Sequence, residues 1–85
     1  MDDTQERIGE SVRALSAAFR DRQEDLAAAL NVSQFTISRK FRGLTPWKVE
    51  DLQVISARYG VTLDQLTAGP RAWLGIESGG GNTPP

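Results

Sequence analysis

Residues that end helices recur at short intervals along this 85-residue chain, and they limit it to short helices. Between them, apolar residues repeat three or four positions apart, which is the period of an amphipathic helix. No segment alternates between apolar and polar residues as a strand would. The sequence therefore predicts an all-α fold, a compact bundle of five helices. The expected stops are Asn31, Gly43, Gly60 and the pair Gly69-Pro70.

The first predicted helix covers residues 5–20, with Thr4 as its N-cap. The second is expected to begin at Asp21, whose carboxylate caps the first turn, with Glu24 three residues on to complete a capping box. The apolar stripe of the first helix consists of Ile8, Val12, Leu15 and Phe19.

The third predicted helix runs from Gln34 to Arg42, with Ser33 as its N-cap. The fourth is expected to start at Thr45-Pro46, with Thr45 as the cap and proline in the first turn, where its missing N–H costs nothing. Thr62 is expected to cap the fifth helix, with Gln65 in the box position. The apolar face predicted for the fourth helix consists of Val49, Leu52, Ile55 and Tyr59.

Residues 1–76 are predicted to form one domain, and the glycine- and proline-rich residues 77–85 are expected to be a flexible tail. The chain contains no cysteine and no histidine. These absences exclude disulfides, Cys/His zinc sites, thiol nucleophiles and Ser-His pairs. The sequence also holds no metal-ligand cluster, phosphate loop or nucleophile-base pair, so we expect no enzymatic activity, no metal and no cofactor. No small-molecule ligand is evident.

The start of the chain is acidic, whereas a signal peptide would be basic and then apolar. No apolar run approaches the roughly 18 residues needed to cross a bilayer. The expected location is therefore the cytoplasm, without a membrane partner.

Charge is segregated along the chain, although the net charge is only -1. Residues 33–49 contain four basic and no acidic side chains, a local charge of +4, whereas residues 1–10 carry -3. Over a Debye length of about 8 Å, a local cationic patch outweighs a distant acidic one. The segment 33–49 is therefore the part of the chain most suited to an anionic partner.

Residues 23–43 contain two predicted helices separated by a tight break. Two such helices cross steeply only if the positions between them are small or apolar. The outward face of the second helix is polar and cationic, and a helix has the diameter to enter the major groove of B-DNA, about 12 Å wide. The inward positions are Leu26, Ala27, Leu30, Val32 and Ile37.

This segment resembles the helix-turn-helix of the lambdoid phage repressor and Cro family, also called the xenobiotic-response-element type. The resemblance covers roughly residues 5–70 and implies a five-helix DNA-binding domain. The matching motifs are Gln23-Glu24-Asp25-Leu26-Ala27, Asn31-Val32-Ser33, Thr36-Ile37-Ser38-Arg39, Gly43 and Pro46.

The chain departs from the family pattern at three positions. Asn31 replaces the usual turn glycine, and asparagine also accepts positive φ. Lys40 occupies a position that is usually apolar, and Phe41 one that is usually glutamate. We expect Phe41 to supply the missing apolar contact, and Lys40 to lay its stem along the rim of the core and place its ammonium near phosphate.

Four residues of the third helix are predicted to contact bases: Gln34, Phe35, Ser38 and Arg39. Glutamine suits adenine N6/N7, and arginine suits guanine O6/N7. An exposed phenylalanine suits a thymine methyl group. The alternative for Phe35 is packing over the following loop, against Leu44 or Trp47. For Trp47 itself, a staple onto the core is favoured over a wedge against the DNA backbone.

Six further residues are predicted to contact DNA phosphates. The resemblance implies that Gln23 bonds a phosphate, the alternative being a solvated glutamine at the start of a helix. Ser33 either serves only as a cap or caps the helix and touches a phosphate as well. Basic residues around a helix end bind phosphate readily, although they are also common as solubilising charge. The six residues are Gln23, Ser33, Lys40, Arg42, Thr45 and Lys48.

The predicted function is that of a sequence-specific transcription regulator, a repressor or Cro-like protein, with double-stranded DNA as its partner. Helix-turn-helix proteins usually bind two half-sites as dimers, so a homodimer is expected. The alternative is a protein-interaction module on the same fold, such as an antitoxin or adaptor. The predicted dimer interface consists of Leu66, Trp73, Leu74 and Ile76; the alternative for the last three residues is that they seal the core.

Overall fold

The computed structural model describes residues 3–70, which form five α-helices and contain no strand. The predicted all-α fold of five helices is thus confirmed in this part of the chain. None of these helices has the length and apolar character needed to span a membrane. The helices are α1 (Thr4–Ala18), α2 (Gln23–Leu30), α3 (Gln34–Phe41), α4 (Val49–Tyr59) and α5 (Leu63–Ala68).

An apolar core lies between the helices, and α1 packs along α5. Two side chains of α1 bond to the backbone of α5. The Ser11 hydroxyl donates to the Leu66 carbonyl at 2.9 Å, and Arg7 Nε donates to the Thr67 carbonyl at 2.9 Å. The core residues are Ile8, Val12, Leu15, Leu26, Ala27, Ile37, Trp47, Leu52, Ile55, Tyr59 and Leu66.

The predicted place of Leu66 in a dimer interface is wrong. Its side chain is 0% exposed, because α5 turns it towards the core beneath α1. The other predicted interface residues, Trp73, Leu74 and Ile76, lie outside the described residues, as does the predicted tail 77–85.

Helices α1 and α2 begin one or two residues away from the predicted positions. Asp3, not Thr4, is the N-cap of α1. Arg22, not Asp21, precedes α2, and its backbone N–H donates to the Asp25 carboxylate at 2.8 Å. The Asp21 carboxylate is instead bound by Arg58 of α4, so it is not available to cap the helix.

The predicted start of α4 at Thr45-Pro46 is also wrong, because the helix begins at Val49 with Lys48 as N-cap. The Gln5 side chain accepts from the Trp47 N–H at 2.6 Å and donates to the Trp47 carbonyl at 3.1 Å. Both backbone groups of Trp47 are therefore held by α1 and do not take part in a helix. The delayed start turns Val49 to the surface, where it is 62% exposed.

Other predicted helix ends are confirmed. The Ser33 hydroxyl accepts from the Thr36 N–H at 3.1 Å, and the Thr62 hydroxyl accepts from the Gln65 N–H at 3.1 Å. Asn31 ends α2 with a φ of 60°, the left-handed conformation expected of the residue that replaces glycine there.

Candidate nucleic-acid interface

Helices α2 and α3 pack against each other and are joined by the short connection 31–33. The left-handed Asn31 allows the Val32 N–H to donate to the Ala27 carbonyl at 2.9 Å, which closes the end of α2. Leu26 and Ile37 are both 0% exposed and anchor the two helices to the core. The orientation of α3 is therefore fixed by buried apolar contacts on one side, which leaves the other side free of the core.

The four residues predicted to contact bases all lie outside the buried face of α3. Gln34 and Phe35 are exposed, whereas Ser38 and Arg39 are half-buried. Phe35 is 71% exposed. The alternative in which Phe35 packs over the following loop is thus not observed.

Trp47 lies in the core, as predicted. The tryptophan is 5% exposed, and its ring meets that of Phe41 edge-on at a centroid distance of 5.4 Å. Phe41 is half-buried against the core, which confirms that it supplies the apolar contact missing at position 40. The Arg13 guanidinium of α1 lies 5.0 Å from the centroid of the Phe41 ring.

Arg39 is held between two neighbours. Its guanidinium carbon lies 5.7 Å from the centroid of the Phe35 ring, one helical turn earlier. Its Nε donates to the Thr45 hydroxyl at 3.1 Å. The Arg39 carbonyl also accepts from the Leu44 N–H at 2.9 Å, so the loop that carries Thr45 is tied to the end of α3.

The predicted phosphate contact of Lys40 is wrong. It is 3% exposed, and its ammonium is 2.8 Å from the Asp51 carboxylate and 2.9 Å from the Pro46 carbonyl. An ammonium held in this way beneath the surface does not reach a phosphate. Asp51 also accepts from the Lys48 N–H at 2.8 Å at the start of α4. The local sequence gives no signal that pairs Asp51 with Lys40, 11 residues earlier.

The other five predicted phosphate contacts occupy surface positions. Gln23 is exposed as the first residue of α2, Ser33 is exposed as the N-cap of α3, and Arg42 and Lys48 are exposed around the following loop. Thr45 is half-buried and is engaged by Arg39. The segment 33–49 therefore keeps three of its four cations at or near the surface, with no acidic residue among them.

An open groove of about 630 Å³ lies between the first turns of α1 and the loop after α3. Arg13, Lys40 and Arg42 contribute positive charge to its lining, whereas Asp3, Glu6 and Glu10 contribute negative charge. An anion in this groove would meet carboxylates on one side. The cationic surface suited to a polyanion is thus the outer side of α3 and its flanking loop.

Two structural supports of this surface were not predicted from the sequence. Gln5 holds the backbone of Trp47, 42 residues away, and Arg13 Nη2 donates to the Phe41 carbonyl at the end of α3, at 3.4 Å. Both residues read as solvent-facing positions on α1. Only the packing of α1 against the loop after α3 reveals their role.

A third support joins the connection before α2 to the end of α4. The Asp21 carboxylate accepts from Arg58 Nε at 2.7 Å and from the Tyr59 hydroxyl at 2.7 Å. The Arg58 hydrogen bond, followed by that of Tyr59, lowers the pKa of Asp21. Burial, followed by the hydrogen bond to Asp21, raises the pKa of Tyr59. The network fixes the chain just before α2.

Comparison with known proteins places the chain in a family. No curated protein and no solved structure matches it. A family model described as "BetR domain" matches residues 3–76, which include all five helices. The chain therefore belongs to the BetR domain family, whose members are small helical domains associated with regulators of the helix-turn-helix type.

Proposed function

We propose that this protein is a sequence-specific DNA-binding transcription regulator that inserts α3 into the major groove. The observation that carries the proposal is the exposed Phe35 beside Arg39, on a helix whose opposite side is anchored in the core. An exposed aromatic ring is unfavourable in water unless a partner covers it. Base edges in the major groove offer an apolar methyl group and paired acceptors to these two side chains.

The charge distribution supports a polyanionic partner. Arg39, Arg42 and Lys48 remain at or near the surface within an acid-free segment, even though Lys40 is neutralised inside. The backbone N–H groups at the start of α2 lie beside Gln23, where a phosphate oxygen is favourably bound. We therefore assign phosphate contacts to Gln23, Ser33, Arg42 and Lys48, and base contacts to Gln34, Phe35, Ser38 and Arg39. We assign no phosphate contact to Thr45, because its hydroxyl is engaged by Arg39.

The mode of regulation that we propose is repression of the Cro-like kind, in the cytoplasm, by competition with RNA polymerase for a promoter. A single module of this size makes few base contacts. We therefore propose that a homodimer binds two half-sites about 34 Å apart. Membership of a regulator-associated family supports this role.

Selection of duplexes from a random pool, followed by affinity measurements between 50 and 200 mM salt, tests the proposal. We expect a palindromic consensus and an affinity that falls steeply as salt rises. Matched measurements on a scrambled duplex give the specificity ratio. Failure to enrich any sequence, or an affinity independent of salt, would overturn the proposal and favour the protein-interaction module.

A further inference from the structure

We propose that Phe35, Arg39 and Thr45 form one reading unit that recognises a guanine next to a pyrimidine with a C5-methyl group. This inference rests on the proposed function and adds to it the class of DNA step that α3 selects. Within the unit, Arg39 reads the guanine, Phe35 covers the methyl group, and Thr45 is a positioning residue that contacts no DNA.

The first step concerns the edge that Arg39 presents. Its Nε is occupied by the Thr45 hydroxyl at 3.1 Å, which leaves the two Nη groups as its pair of parallel donors. Such a pair matches guanine O6 and N7 in the major groove. Thr45 thus determines which edge of the guanidinium faces a base.

The second step concerns how firmly Thr45 is held. The Arg39 carbonyl accepts from the Leu44 N–H at 2.9 Å and from the Thr45 N–H at 3.4 Å. Gly43 allows this close return of the chain with a φ of 77°. Side chain and backbone therefore tie Thr45 to the same residue, which lowers the entropy that Arg39 loses on binding a base.

The third step concerns the spacing between the two reading groups. The guanidinium carbon of Arg39 and the centroid of the Phe35 ring are 5.7 Å apart. Since base pairs are stacked about 3.4 Å apart, this separation is shorter than two steps, so we assign the two groups to adjacent base pairs. Phe35 is 71% exposed, so its ring is free to cover an apolar group beside the guanine.

The chemistry of that neighbour follows from the ring. The C5-methyl group of thymine is the apolar group that a base pair displays in the major groove. Methylation of cytosine at C5 adds an equivalent group, whereas cytosine and uracil carry none. The reading unit therefore selects thymine or 5-methylcytosine beside the guanine.

The experiment uses the duplex most enriched by the wild-type chain from a random pool. Each thymine is replaced in turn by deoxyuridine, which removes only the methyl group, and Kd is measured for the wild type and for Phe35→Ala. At the thymine beside the guanine, we expect an affinity loss of about fourfold for the wild type, the value of one buried methyl group, and none for Phe35→Ala. Because Phe35 is exposed, the variant should keep the melting temperature of the parent.

Thr45→Val tests the positioning role, with Thr67→Val on α5 as the matched control. Replacing the guanine by 7-deazaguanine removes the N7 acceptor. We expect this replacement to weaken the wild type and Thr67→Val but to have little effect on Thr45→Val. If Thr45 contacts phosphate instead, Thr45→Val would weaken every duplex alike and keep its sensitivity to 7-deazaguanine, which would overturn its assignment to the unit.

The outcomes separate this inference from the proposed function. If no duplex is enriched, the proposed function fails, and the reading unit fails with it. If a duplex is enriched but deoxyuridine costs the wild type and Phe35→Ala the same at every thymine, the reading unit alone is overturned. A consensus in which no thymine adjoins a guanine would also overturn the reading unit alone.

Discussion

The ammonium of Lys40 lies 2.8 Å from the carboxylate of Asp51, and both side chains are buried. Lys40 also donates to the Pro46 carbonyl, and Asp51 accepts from the Lys48 N–H. In the described part of the chain, no buried side-chain nitrogen or oxygen lacks a hydrogen-bond partner. The pair thus joins α3 to the start of α4 beneath the surface that we assign to DNA.

Lys40→Met should destabilise the domain by about 3–5 kcal/mol, because it leaves the Asp51 charge buried without its partner. Urea denaturation followed by circular dichroism measures the change. Lys48→Met is the matched control, since it removes the same charge from an exposed position, and its effect should stay within about 0.5 kcal/mol. Equal stabilities for the two variants would show that the buried pair is unimportant.

Asp21→Asn should reduce stability at neutral pH and make it less sensitive to acid. The folded-state pKa of Asp21 is lowered by Arg58 and Tyr59 below the value of about 3.9 in an unfolded chain. The contribution of ionised Asp21 to the free energy of unfolding is therefore fully present above about pH 3.9, and it is lost as pH falls through the folded-state pKa.

Melting temperatures from pH 7 to about pH 2.5 test this prediction of Asp21 linkage. The difference between the wild type and Asp21→Asn should shrink in acid, whereas Asp64→Asn, at an exposed position on α5, should show no such convergence. A difference between the wild type and Asp21→Asn that stays constant with pH would contradict the assigned role.

Arg20→Gly should stabilise the domain by about 0.5–1 kcal/mol. Arg20 has a φ of 60°, a conformation that is costly for a residue with a Cβ atom, and glycine removes this cost at the expense of greater freedom in the unfolded chain. Chemical denaturation measures the gain. Arg20→Ala also removes the arginine side chain beyond Cβ, but it keeps the Cβ atom and therefore the conformational cost of the positive φ. A stability gain of the same size in Arg20→Ala would refute the explanation.

Arg39→Ala should weaken binding to the selected duplex by about 1–3 kcal/mol and relax the choice of base, whereas Lys48→Ala should weaken all duplexes alike and reduce the salt slope by about 1. Arg20→Gln, which removes a charge from the connection after α1, should leave the specificity ratio unchanged. Fluorescence anisotropy on selected and scrambled duplexes distinguishes these results. If Arg39→Ala and Lys48→Ala bind both duplexes like the parent, insertion of α3 into the groove is wrong.

Local sequence was sufficient for the number of helices and for several of their ends. Ser33 and Thr62 each cap a helix through a bond to a backbone N–H three residues later, and Asn31 adopts the left-handed conformation. These interactions involve groups that are close in the chain whatever the tertiary fold. The sequence placed Phe35 off the buried side of α3, which Ile37 and Phe41 supply, but it left open whether the following loop covers the ring. The structure decides this point, since Phe35 is 71% exposed.

The partner that each polar side chain takes depends on how the helices pack. Asp21 and Thr45 have the chemistry of helix caps, but Arg58 and Arg39 bind them. Lys40 has the chemistry of a phosphate ligand, but Asp51 holds it inside. The local hydrogen bonds were predictable, because their geometry depends on neighbours along the chain. Where one side chain has several possible partners, only the packing of the helices brings one of them within bonding distance.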